Sequence, residues 1–151
     1  MKKFVVFIFT CFLLTESAFA GNIYNNYGYK TGSFKTNGDT TTIYNRYGSR
    51  TETYKTNGDT TIKYDKYGSK QEVIKKTSSG YNTYDKYGSK TGSFKIDSNG
   101  RTTSYDKYGQ KTGSYRTNGN TTTHYDQYGS KTGSYRSVSY THLRAHETSA
   151  H

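Results

Sequence analysis

A Tyr-[Asn/Asp]-x-Tyr-Gly block recurs at Tyr24, Tyr44, Tyr64, Tyr84, Tyr105 and Tyr125, at spacings of 20, 20, 20, 21 and 20 residues. Self-similarity at a fixed period restricts a chain to architectures in which one small unit is copied and each copy leans on its neighbours. Around the block the unit has a constant order. A basic residue follows (Lys30, Arg50, Lys70, Lys90, Lys111, Lys131), then a large apolar one (Phe34, Tyr54, Ile74, Phe94, Tyr115, Tyr135). A second turn signal comes next, as Asn37-Gly38, Asn57-Gly58, Asn99-Gly100 and Asn118-Gly119, and a Thr-rich stretch leads into the next Tyr.

Both turn signals have a mechanism. Asp65-Lys66-Tyr67-Gly68 fits a type I turn, in which Asp at the first position bonds backbone ahead of it and Gly closes the fourth. Asn-Gly supplies the positive φ angles of a tight hairpin. The stretches between them run about five to seven residues and are rich in Thr, Tyr, Phe and Ile, which is strand length and strand composition. No window shows the 3.6-residue period of an amphipathic helix. Each repeat is therefore predicted to be two short strands and two turns. The third repeat has Lys76-Thr77-Ser78-Ser79-Gly80 in place of Asn-Gly, predicting a longer loop, and the fourth inserts one residue at Asp97–Arg101.

Composition narrows the fold further. Residues 21–136 contain only six aliphatic side chains larger than Ala: Ile23, Ile43, Ile62, Val73, Ile74 and Ile96. At roughly 1.5–3 kcal/mol per buried side chain, these cannot offset the ordering entropy of more than a hundred residues. That excludes a Leu/Ile/Val-cored enzyme and points to a core built from Tyr and Phe. The expected fold is all-β: tandem hairpin repeats of about twenty residues forming an elongated, twisted sheet or solenoid-like array.

Which face carries the core depends on register. If Asn37-Gly38 forms a two-residue loop, Phe34 lies opposite Thr41 and shares a face with Ile43, while Tyr44 points the other way. A slip of one residue exchanges the faces. We expect the first Tyr of each block to join the Phe34 series in an internal stack. The second Tyr (Tyr27, Tyr47, Tyr67, Tyr87, Tyr108, Tyr128) stands at the third turn position and is expected to be exposed.

The two ends differ from the array. Residues 1–20 read as a secretory signal, with Lys2 and Lys3, an apolar stretch from Phe4 to Leu14 and a small-residue cleavage site at Ala18-Phe19-Ala20. Cleavage before Gly21 would remove Cys11, the single cysteine, and leave no transmembrane span. From Ser137 to Thr148 the chain reads SVSYTHLRAHET, which breaks the repeat and resembles the translation of a transposase-type sequencing adapter. On that reading residues 137–151 are a non-native tail, its histidines (His142, His146, His151) are no metal site, and the array of residues 21–136 continues in a longer gene.

The Tyr-Asp-x-x-Gly block, the second Gly about twelve residues on and the Thr before the next Tyr resemble the YD repeats of Rhs-type proteins. Four blocks carry Tyr-Asp (Tyr64-Asp65, Tyr84-Asp85, Tyr105-Asp106, Tyr125-Asp126) and two carry Tyr-Asn (Tyr24-Asn25, Tyr44-Asn45). The resemblance implies curling β-sheets on secreted or surface proteins, without catalysis in the repeats themselves. This array is unusually rich in Tyr and Lys, lacks Leu and has six copies, so enclosing a cargo is not expected of it. The spacing is also loosely similar to aromatic cell-wall- or glucan-binding repeats, although Trp is absent.

No catalytic constellation emerges. His124 is the only histidine in the repeats, no Gly-x-Ser-x-Gly elbow occurs, and each recurring Asp already has a turn role. No cofactor and no metal are expected. Charge is the remaining lead: residues 21–136 hold 19 Lys plus Arg against 9 Asp plus Glu, a net +10 of the whole chain's +11. The expected protein is an exported, non-catalytic surface or extracellular structural or interaction module, either secreted, periplasmic or on a bacterial cell surface. One alternative is a repeat that binds carbohydrate or anionic polymer, with cell-wall or extracellular glycans as partners rather than nucleic acid, and Tyr27, Tyr47, Tyr67, Tyr87, Tyr108 and Tyr128 as the stacking stripe. Another is the N-terminal repeat part of a larger Rhs-like toxin.

Overall fold

The computed structural model describes residues 19–139. The expected signal peptide and tail lie outside the described residues, except that residues 19, 20 and 137–139 form strand ends. Twelve strands follow one another: β1 (Phe19–Asn25), β2 (Lys30–Asn37), β3 (Thr40–Asn45), β4 (Arg50–Asn57), β5 (Thr60–Asp65), β6 (Lys70–Thr77), β7 (Gly80–Asp85), β8 (Lys90–Ile96), β9 (Thr102–Asp106), β10 (Lys111–Asn118), β11 (Thr121–Asp126) and β12 (Lys131–Ser139). Each pairs antiparallel with its sequence neighbours, so the repeat is two strands and two turns, as its turn chemistry predicts.

The array is neither an open sheet nor a solenoid. β1 pairs with β12 as well as β2, from Phe19↔Ser139 to Asn25↔Gly133, and the ladder closes into a barrel. The curvature has a local source in every repeat. Lys63 pairs with Glu72 but Tyr64 pairs with Lys70, so Gln71 is an extra residue in the ladder. Thr31, Thr51, Thr91, Thr112 and Thr132 occupy the same bulge elsewhere. A bulge bends its strand and increases twist, and six of them in phase roll the sheet until its edges meet. Closure also satisfies the two edge ladders that an open sheet would leave unpaired.

Two kinds of turn alternate. In the first, Gly68 N donates to Asp65 O (3.1 Å), and Asp65 Oδ1 accepts from Tyr67 N and Ser69 N (2.9 Å each). Gly68 stands at φ +86°, the left-handed residue that follows a type I turn in a three-residue hairpin. In the second, Asn37 pairs with Thr40, so the two-residue loop is Gly38-Asp39 rather than Asn37-Gly38. Gly38 has φ +58° and, among the described residues, no non-Gly residue has positive φ, so Asp39 does not, which is the type II′ pattern. The third repeat does not have the longer loop expected: Thr77 pairs with Gly80 around Ser78-Ser79. The extra residue of the fourth repeat turns its loop into the Asp type, with Asp97 Oδ1 accepting from Asn99 N and Arg101 N.

The interior is layered. Phe34, Tyr54, Ile74, Phe94, Tyr115 and Tyr135, one from each even-numbered strand, are all buried and form a central ring. Phe34 meets Tyr135 edge-on at 6.0 Å, the contact that joins the last repeat to the first. Their cross-strand partners make a second layer: Ile43, Lys63, Thr83, Ser104, His124 and Ile23. Toward the two-residue hairpins, Thr pairs bond across strands, as in Thr36–Thr41 (2.8 Å), Thr56–Thr61 (2.9 Å) and Thr117–Thr122 (2.8 Å). These pairs account for the buried Thr of each stretch, Thr41, Thr61 and Thr122, whose hydroxyl is bonded across the ladder where it enters the interior.

The first Tyr of each block is not in this stack. Tyr24, Tyr44, Tyr64, Tyr84, Tyr105 and Tyr125 lie half-buried on the outer face. Moving the loop from Asn37-Gly38 to Gly38-Asp39 shifts each partner by two residues, which preserves facing, so Phe34 and Ile43 stay inside and Tyr44 stays outside. Tyr suits a half-buried wall because its ring offers apolar area to pack while its hydroxyl can bond water.

Candidate functional site

The outer wall carries a repeated three-residue motif. Each half-buried Tyr pairs across the ladder with a basic residue: Tyr24 with Lys30, Tyr44 with Arg50, Tyr64 with Lys70, Tyr84 with Lys90, Tyr105 with Lys111 and Tyr125 with Lys131. On the other side, the cation following each ring residue reaches back over the Tyr. Lys55 lies 5.8 Å from the Tyr64 centroid, Lys75 5.3 Å from Tyr84, Lys95 5.4 Å from Tyr105 and Arg116 5.9 Å from Tyr125. With Lys35 and Arg136 in the equivalent places, twelve exposed cations surround the barrel. A cation held over a ring keeps its charge toward solvent while its stem packs.

The second Tyr of each block forms a rim around one barrel end. Tyr27, Tyr47, Tyr67, Tyr87, Tyr108 and Tyr128 are 75–85% exposed, as their turn position predicts. Four are backed by the preceding residue: Arg46 over Tyr47 (4.7 Å), Lys66 over Tyr67 (4.8 Å), Lys86 over Tyr87 (5.0 Å) and Lys107 over Tyr108 (4.9 Å). The turns beneath are rigidly bonded. Asp65 has its carboxyl held below the usual range, first by the Ser69 backbone N–H and also by Tyr67 and Gln71.

Inside the barrel the repeat is broken by charge. Lys63 is buried, bonds Glu52 at 2.8 Å and lies 5.7 Å from the Tyr54 centroid. Tyr54 donates its hydroxyl to Glu52 Oε2 (3.1 Å), and burial, with the Glu52 charge next, pushes that phenol well above its ordinary range. Burial likewise raises Tyr115, which stacks on His124 at 4.5 Å. His124 is pushed down to about 4, mainly by burial.

Sequence reasoning placed the rim tyrosines but missed two features. The cation–Tyr–cation grouping was hidden because the outer Tyr series was assigned to the core. The Lys63–Glu52 pair had a signal: aligned repeats put Lys63 where Ile43 stands and Glu52 where Gly32 stands. Among the described residues, no group of three or more His, Cys, Asp or Glu could hold a metal ion, and no helix is long and apolar enough to cross a membrane. No family model matches the chain, and no curated protein matches it.

Proposed function

We propose that this is an exported, non-catalytic interaction module whose outer wall and tyrosine rim bind anionic polymers of the cell surface, such as cell-wall or extracellular glycans. The observation that carries this reading is the girdle of twelve exposed Lys and Arg, two per repeat, flanking six tyrosines. Evenly spaced cations attract a polyanion at many points, so weak individual contacts sum. The aromatic faces beside them give sugar rings a surface to stack on. The same cations argue against a wall facing lipid, where each costs about 2–4 kcal/mol near mid-bilayer.

The test is retention of the full chain on insoluble cell-wall material and on a sulfated glycan resin. We expect binding at low ionic strength that declines steadily with added salt. Lys55→Glu with Lys75→Glu should weaken it several-fold and lower the salt at which it is lost, and Tyr67→Ala with Tyr87→Ala should weaken it without changing the melting temperature. No retention at low salt on either matrix would contradict polymer binding and leave a structural spacer as the better description.

A further inference from the structure

At the barrel end encircled by the tyrosine rim, the interior is open. The layer nearest the rim reads Gly32, Glu52, Glu72, Gly92, Gly113 and Gly133 around the six repeats, and the layer below it holds Lys63 and Thr83. A barrel that only needed filling would serve with the same residue in every copy. Instead three charged side chains sit on adjacent strands, and small residues stand beside them. At Gly92 an added Cβ would come within 2.5 Å of the Tyr105 carbonyl oxygen, so that wall stays bare. The result is a cavity of about 470 Å³ with Phe94 among its lining residues.

We propose that this mouth is a binding site for a single neutral sugar residue. The volume lies within the range of small-ligand sites, and barrel mouths are a recurrent place for them. Sugar hydroxyls both donate and accept, and the lining offers both roles at close spacing. Lys63 is a buried ammonium 2.8 Å from Glu52, Glu72 is its cross-strand neighbour, and the Thr83 and Thr91 hydroxyls meet at 2.9 Å. Gln71, the bulge residue, also lines the mouth, and its amide Nε2 donates to Asp65 Oδ2 at 2.9 Å. Phe94 supplies an apolar surface for the C–H face of the ring. Carboxylates outnumber the one Lys in the lining, so an acidic sugar is disfavoured. This site is separate from the cationic outer wall and opposite to it in charge, and it does not rest on polymer binding there.

The experiment is a titration of the full chain with glucose, galactose, mannose and N-acetylglucosamine, followed by backbone amide shifts, with glucuronate as the anionic control. At least one neutral sugar should shift Gln71, Thr83, Thr91 and Gly92 in a saturable way that salt does not remove, and glucuronate should bind about tenfold more weakly. Gln71→Ala and Thr83→Val should each weaken the effect about tenfold while leaving the amide shifts of strands remote from the mouth and glycan-resin retention unchanged. Failure of all four neutral sugars to shift these amides, equal or tighter binding of glucuronate, or shifts unaltered in both variants would each overturn the proposal. Because outer-wall retention is salt-sensitive and read on a resin, the two readings can fail independently.

Discussion

Lys63 is 5% exposed in a layer where its counterparts are Ile, Thr, Ser and His, and its charge is tolerable because Glu52 lies beside it. Lys63→Ala removes the ammonium that bonds the Glu52 carboxylate. We expect a loss of about 2–3 kcal/mol in denaturant unfolding, less than a fully buried pair would show because Glu52 is partly wetted. Glu52→Gln combined with Lys63→Met should fall within about 1 kcal/mol of the parent, since a broken pair costs more than an absent one. His124 gives a pH signature. Its folded value near 4 lies below the ordinary value of about 6.5, so the unfolded chain takes up a proton that the barrel refuses. This contribution is nil above about pH 7, grows more destabilising as pH falls through the window, and levels off below about pH 4. Unfolding measured against pH should show that slope, and His124→Ile should remove its share.

At the scale of the hairpin, the three-residue turn ties sequence to shape most tightly. Gly68 at φ +86° has no side chain to clash, and Gly68→Ala should cost about 1–2 kcal/mol of stability, read from the unfolding midpoint. The requirement is local, which is why this turn and the exposure of Tyr67 were legible in the sequence. The tighter turn was less so, because Asn57-Gly58 and Gly58-Asp59 are both good loop pairs and their choice rests on which φ angles the strands accept. That ambiguity left the Phe34 series correctly inside, since the two registers share facing. The outer Tyr series was misplaced for another reason: an amphipathic, half-buried ring has no hydropathy pattern to distinguish it from a buried one. Of the candidate site, the rim was therefore readable, whereas the cation pairs over Tyr64, Tyr84, Tyr105 and Tyr125 needed the register first.

For the whole molecule, closure converts six similar hairpins into one cooperative object. In an open array each unit touches only its neighbours, and damage stays local. In the barrel, Phe34 packs on Tyr135 across the seam, so Phe34→Ala should cost about 3–5 kcal/mol and lower the stability of all twelve strands together in a single transition. Closure was the part of the fold least visible in the sequence, because β1 and β12 are more than a hundred residues apart and nothing local states that they pair. It is also what sets the girdle of cations and the ring of tyrosines around a common axis, and what gives the mouth its walls. The most direct test is the set of interstrand nuclear Overhauser effects across the seam. Close backbone proton contacts at Ile23–Tyr135 and Asn22–Arg136 are expected, in the register of β1 against β12. Contacts of β1 to β2 alone and of β12 to β11 alone, with no effects between β1 and β12, would contradict the closed barrel.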